Sequence, residues 1–182
     1  SGMNQLLIDT GLDDEQQEYI DMSNLSAHVL LDTVNQILDV AAIEAGGLKL
    51  QLQKVKTEAY LNDIVVLFTS QAAEKQLDLV LSVTDGVPAE IEVDPVNLRK
   101  VFINLIGNAI KFTQVGGVTM SASIVRCDDR DVDIKFKVSD TGMGIAEDKL
   151  EYIFEQFSQA DDTITRHYGG SGLGLSIIKG LL

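Results

Sequence analysis

The 182-residue sequence holds one cysteine, two prolines and no tryptophan, and only 5% of it is aromatic. A lone cysteine, Cys127, excludes an internal disulfide and fits a reducing compartment. Basic residues are scarce as well, with 14 Lys and Arg against 28 Asp and Glu, a net charge of −14. No lysine/arginine stripe exists to neutralise a phosphate backbone, which excludes a general nucleic-acid surface but leaves room for a phosphate ligand in one local pocket. No apolar run approaches the roughly 18 residues that span a bilayer, and no signal-peptide pattern is present. The expectation is therefore a soluble, cytoplasmic chain without membrane contact of its own, whose longer parent could still be anchored in an inner membrane. Scarce proline with 45% hydrophobic residues argues for a packed core rather than disorder.

What is present falls into two textures. From Asp13 to Ala45 the chain lacks proline and glycine and predicts one long helix, opened by Asp13 and Gln16 at capping-box spacing. Ile20, Ala27, Val34 and Ala41 recur every seven residues with Leu30 and Ile37 between them. That stripe, widened by Leu31 and Leu38, serves either a helix bundle or an intrachain core. The preceding "MNQLLIDTG" reads as the last turns of another helix closing at Thr10-Gly11. The paired glycines after Ala45 end this region, so residues 1–46 form a partial helical hairpin and 47–182 a second domain. There "LKLQLQKV" and "LDLVLSVT" alternate as strands, and 57–75 reads as a helix. "DPVNLRKVFINLIGNAIKF" is a helix with Asp94 as cap and Pro95 at its first position. "GVTMSASIV" and "DVDIKFKVSD" make a hairpin, "EDKLEYIFEQF" a helix, and a polar stretch leads to a glycine loop and a last helix. The fold class expected is α+β, with helices on one face of a mixed sheet.

Three segments carry candidate chemistry. "RHYGGSGLGLSII" opens a helix with Gly170, Gly172 and Gly174 spaced G-x-G-x-G. It is neither a Walker loop nor a dinucleotide fingerprint, and by itself it suits a flexible turn as well as phosphate bound at a helix start. "DTGMGI" places Asp140 at a strand end, where it either caps its own backbone or forms a buried carboxylate accepting from an exocyclic amine. "NLIGNAIKF" sets Asn104 and Asn108 on one helix face with Lys111 three residues on. Those amides either bond to neighbouring loops or, with the lysine, suit a magnesium ion that takes most ligands from phosphates and water.

Together these segments resemble the N, G1 and G2 boxes of sensor histidine kinases, in the ATP-binding superfamily that includes gyrase, Hsp90 and MutL. Phe154 and Phe157 in "FEQF" resemble the F box. "FSQADDTITRHYGGSGLGLSI" is similar to the hybrid subfamily, and "LSAHVLLDTVNQILDVAAIEAGGLKL" to the second helix of its dimerisation domain. The resemblance implies the two-layer Bergerat ATP-binding fold and the cofactors ATP and Mg2+. It assigns adenine recognition to Asp140, close backbone approach to Gly142 and Gly144 with Ile145 beside them, and base packing to Phe112. Asn108 becomes the main magnesium ligand with Asn104 nearby, and Lys111 a phosphate contact. Residues 158–171 become a lid that includes Arg166. The run Gly170, Ser171, Gly172, Leu173, Gly174 and Leu175 receives the phosphates.

Hydrolysing relatives place a glutamate where this chain has Asn104, and an amide cannot act as that general base. The resemblance therefore implies transfer of the γ-phosphoryl group to a histidine, not hydrolysis. Its H box belongs on the first helix of the hairpin, and neither His28 nor His167 stands in that position. No catalytic histidine is expected within 1–182, the ATP-binding domain reads as short at its C-terminal end, and autophosphorylation of this chain alone is not expected. Implied partners are a second copy through the hairpin and a response-regulator receiver domain. A kinase-like regulatory module acting through mixed dimers is the alternative function, and a gyrase-type ATPase a third.

Overall fold

The computed structural model describes residues 2–44, 49–127, 131–155 and 173–181. Two compact units divide the chain, Ser1–Gly47 and Leu48–Leu182. In the first, α1 (Gly2–Ile8) turns at Gly11, whose φ of 77° favours a residue without a Cβ, into α2 (Asp14–Glu44). The capping box forms as expected: Gln16 N donates to Asp13 Oδ1 (2.8 Å) and Asp13 N to Gln16 Oε1 (3.2 Å). Asn4 Nδ2 joins the two helices by donating to Asn24 Oδ1 (2.8 Å) and Ser23 Oγ (3.1 Å). Much of the apolar stripe of α2 remains open, with Leu30, Leu31 and Leu38 each at least 60% exposed.

In the second unit, β1 (Gln53–Lys56) pairs antiparallel with β3 (Glu90–Val93). A three-stranded mixed sheet has the order β2 (Asp78–Val83), β4 (Gly117–Cys127), β5 (Val132–Asp140). The first pair is parallel and the second antiparallel. Helices α3 (Thr57–Val66), α4 (Thr69–Glu74) and α5 (Pro95–Phe112) pack against it, and α6 (Gly174–Leu181) packs on α5. The core lies between Leu61 and Ile64 of α3, Phe102 and Ile106 of α5, and the alternating Val118, Met120 and Ala122 of β4. Phe102 meets Phe136 of β5 edge to face, with ring centroids 5.5 Å apart. The mixed sheet with helices over it is the α+β arrangement expected. Among the described residues no helix is long and apolar enough to cross a membrane.

Three local expectations are corrected. The helix over 57–75 is two helices. Leu67 N and Phe68 N bond three residues back, to Ile64 O and Val65 O, and the tightened turn carries Phe68 into the core over Gly107. The strand in "LKLQLQKV" covers only Gln53–Lys56, because its partner β3, which alternation did not reveal, is four residues long. "EDKLEYIFEQF" forms a short 3₁₀ turn, Glu147–Lys149, followed by further turns to residue 155. Its Leu150, Tyr152 and Phe154 stay 47%, 53% and 39% exposed, so among the described residues little apolar area is buried to hold a short helix.

Candidate functional site

Helix α5 organises the site. Asp94 caps it, accepting from Val96 N and Asn97 N (both 3.0 Å), and its other oxygen accepts from Gln51 N (2.8 Å). These donors hold the Asp94 carboxyl below the usual aspartate range, the Asn97 and Gln51 N–H groups first. Val101, Phe102, Ile106, Ala109 and Ile110 bury one face. At about 100° per residue, Asn104, Asn108 and Lys111 cluster within roughly 60° of one another on the face turned away from Phe102 and Ile106. All three are half-buried. Asn104 Nδ2 donates to Lys100 O (3.0 Å) within its own helix, and among the described residues no hydrogen bond reaches the Asn108 amide. Lys111 Nζ sits 4.8 Å from the centroid of the Phe112 ring, and burial lowers its pKa from the ordinary lysine value.

Two glycine segments meet this helix at points eight residues apart, about 12 Å along its axis. At the first, a Cβ on Gly174 would lie 2.7 Å from Asn104 Oδ1. Leu173, 1% exposed, precedes Gly174 and accepts from Ile177 N (3.0 Å) and Ser176 Oγ (2.8 Å). The opening turn of α6, whose first N–H groups have no partner within the helix, thus starts beside Asn104. At the second point, a Cβ on Gly142 would lie 2.6 Å from Phe112 O. Gly142 N donates to Asp140 Oδ1 (2.8 Å).

Asp140 thereby does cap its own loop, and it is exposed rather than buried at a pocket floor, because it ends β5 at the sheet margin. One carboxylate oxygen, Oδ1, is engaged inside the loop. Gly144 has φ +70° with open space where a Cβ would be, and Ile145 beside it is 48% exposed. Leu175 is half-buried in the first turn of α6. Arg166, Gly170, Ser171, Gly172, Phe157 and His167, with the expected lid 158–171, lie outside the described residues.

Sequence reasoning missed two side chains that hold this arrangement. Thr141 Oγ1 donates to Val115 O (2.8 Å) and accepts from Gly117 N (3.0 Å), and it occupies the space a side chain on Gly116 would need. Thr141 stands inside "DTGMGI", so the motif held the residue without revealing its partners. Lys75 Nζ donates to Ile110 O (2.8 Å) and Lys111 O (3.0 Å), the last turn of α5, and no local pattern announces it. An open groove of about 840 Å³ lies elsewhere, lined by Lys56, Ala59, Asn62, Leu81 and Glu90 among others, and none of the candidate residues lines it.

Residues 93–182 match the family described as histidine kinase-, DNA gyrase B-, and HSP90-like ATPase. The whole chain is 38% identical, over 183 residues, to the sensory/regulatory protein RpfC of Xanthomonas campestris pv. campestris. It is 34% identical, over 181 residues, to the signal transduction histidine-protein kinase BarA of Escherichia coli K12. Residues 93–182 belong to the histidine kinase-, DNA gyrase B-, and HSP90-like ATPase family. The structure of the chain also matches full-length ShkA, crystallised with AMPPNP, at a TM-score of 0.81 and 36% identity, covering 99% of this chain and 36% of ShkA. The histidine kinase ATPase domain is thus recovered with its mixed sheet and overlying helices. The chain spans 25% of RpfC and 20% of BarA.

The donor set fits a magnesium–nucleotide. Among the described residues no group of three or more His, Cys, Asp or Glu side chains is placed to hold a metal by itself. Two neutral amides beside a lysine suit an ion that brings phosphate and water ligands with it. At Gly142 and Gly174 a Cβ would strike the walls, so bare backbone borders the helix at both points.

Proposed function

We propose that the chain binds Mg-ATP along α5 and presents the γ-phosphoryl group for transfer to a histidine of a two-component kinase. One observation carries this reading: the same helix that displays Asn104, Asn108 and Lys111 touches Gly142 near one end of that row and Gly174 at the other. A separation of about 12 Å suits a nucleotide lying lengthwise, base toward Asp140 and phosphates toward the start of α6. In this assignment the second carboxylate oxygen of Asp140 accepts from the adenine amino group, and Gly142 and Gly144 admit the base against Phe112. Asn108 supplies magnesium's protein ligand with Asn104 beside it. Lys111 faces phosphate, and Leu173, Gly174 and Leu175 offer the backbone of α6. Bound magnesium supplies charge neutralisation on the phosphates, and the chain's own residues orient the nucleotide. Arg166, Gly170, Ser171 and Gly172, which lie outside the described residues, complete the assignment on sequence grounds.

Calorimetry with a non-hydrolysable ATP analogue tests the reading. Binding should require magnesium, and Asp140→Asn and Asn108→Ala should each weaken it about tenfold or more, as loss of one charge-assisted or metal-directed contact does. Unchanged affinity in both variants would overturn it. Incubation with γ-labelled ATP should leave this chain unlabelled, while a separate hairpin bearing an H box is labelled in trans.

The exposed stripe of α2 favours a second reading for the first unit, pairing with another helical hairpin. A homodimer of the parent, or a mixed dimer that regulates another kinase, would cover it. Inhibition of an active kinase by this chain without ATP dependence would mark the mixed dimer. A response-regulator receiver domain is the proposed downstream partner. Asn104 disfavours a gyrase-type ATPase, and steady phosphate release well above background would revive it.

A further inference from the structure

The last four carbonyls of a helix have no partner within it and must be satisfied from outside. In α5 the first of these, Ala109 O, accepts from Thr113 N (3.0 Å) and from Thr113 Oγ1 (2.7 Å). The next two, Ile110 O and Lys111 O, both accept from Lys75 Nζ. The fourth, Phe112 O, lies against Gly142, next to the N–H group that bonds Asp140. The ammonium of Lys75 therefore grips the turn immediately before the carbonyl on which the Asp140 corner rests. It also places positive charge at the negative end of the α5 dipole.

Lys75 reaches this position from the C-cap of α4, 35 residues away in sequence. Its residue is exposed while its tip is inserted. Behind it Gln76 takes the left-handed conformation (φ 57°), and Leu77, 7% exposed, is buried in the core. Gln76 N and Leu77 N donate to Ala73 O and Ala72 O, which closes α4 and fixes where the Lys75 stem departs. On the other side, Thr141 ties the same corner to Val115 O and Gly117 N. The corner is held from the sheet by Thr141 and from the helix layer by Lys75.

We propose that Lys75 is a positioning residue for base recognition: through the last turn of α5 it sets the distance and tilt of Asp140 and Gly142 relative to Phe112. This rests on the reading of Asp140 as the acceptor for the adenine amino group. An adenine contact is directional, so a corner that drifts loses discrimination between bases before it loses affinity for phosphates.

The test compares ADP with IDP, whose base carries a carbonyl where adenine carries the amino group. The unaltered chain should prefer ADP by about tenfold or more, the loss expected for one charge-assisted hydrogen bond. Lys75→Met, which keeps the stem and removes the ammonium, should shrink that ratio to about threefold or less, and Lys75→Arg should restore most of it. A general loss of folding lowers both affinities together and leaves the ratio unchanged, so an equal fall for ADP and IDP, or no change, overturns the proposal. Amide hydrogen exchange without nucleotide gives a second reading. Lys75→Met should speed exchange at Thr141 and Gly142 while leaving Met120 and Ala122 of β4 protected, and unaltered exchange at the corner also overturns it. If the unaltered chain fails to bind ADP, the nucleotide reading itself falls, and the exchange measurement still decides whether Lys75 holds the corner.

Discussion

Asn104 Oδ1 stands 2.7 Å from the point where a side chain on Gly174 would begin. The residues are 70 positions apart, yet this proximity makes the start of α6 a wall of the proposed site. Gly174→Ala brings two effects of opposite sign. A Cβ must push the Asn104 amide from its place, and a helical alanine gains up to about 1 kcal/mol in propensity over glycine. The expected outcome is a melting temperature within a few degrees of the original and an ATP-analogue affinity reduced about tenfold. Calorimetry beside a thermal melt reads both, and retained affinity would remove Gly174 from the site.

Gly142→Ala meets backbone rather than a rotatable amide, since its Cβ would lie 2.6 Å from Phe112 O and 3.1 Å from Phe112 C. The Asp140 carboxylate, whose Oδ1 is 2.8 Å from the same point, can turn aside, but the Phe112 carbonyl cannot. A destabilisation of about 1–3 kcal/mol is expected, as for other overpacked positions. Chemical denaturation should show it as a lower midpoint at unchanged slope.

Gln76 occupies a conformation that costs a side-chain-bearing residue about 1–2 kcal/mol. Gln76→Gly relieves that cost but loosens the unfolded chain, so a net gain of roughly 0.5–1 kcal/mol is expected. A fall in the denaturation midpoint would show that the glutamine side chain contributes more than its strain.

Acid should release the N-terminus of α5. The Asp94 carboxyl is held below its ordinary range by the Asn97 and Gln51 N–H groups, and it is ionised when they bond to it. Its stabilising contribution is complete above the unfolded aspartate pKa of about 3.9 and disappears as pH falls through the lower folded value. Stability measured between pH 6 and pH 2 should lose part of its acid dependence in Asp94→Asn. An identical slope in the two proteins would assign the acid sensitivity to other carboxylates.

At the alkaline end Tyr60 acts with the opposite sign. Burial, opposed by the nearby Arg99 charge and reinforced by Asp94, raises its phenol to about 12, and the hydroxyl donates to Pro95 O (2.8 Å). The neutral form is preferred in the fold, so its contribution is full below about pH 10, the unfolded value, and is lost as pH rises toward the folded one. Phenolate absorbance should show a phase extending toward pH 12, and Tyr60→Phe should remove it.

Where signals were local, the sequence was sufficient by itself. Asp94-Pro95 started α5, Asp13 and Gln16 capped α2, and alternation through Val118, Met120 and Ala122 marked β4, because caps and periodicities act within a few residues. The row Asn104, Asn108, Lys111 followed from helical spacing alone. The family emerged from motif order, and the matching of residues 93–182 agrees with it.

Tertiary structure decided everything that joins distant segments. Phe68 broke a helix whose sequence contains no breaker, since reaching the core over Gly107 outweighed continuing the hydrogen-bond ladder. "EDKLEYIFE" failed to become a regular helix because, among the described residues, its Leu150, Tyr152 and Phe154 bury too little apolar area to hold one. Asp140 emerged exposed at the end of β5, and Thr141 and Lys75 became its supports through bonds spanning 24 to 36 residues. Such contacts depend on how the chain closes on itself, and propensity, which acts over a turn or two, carries no information about that closure.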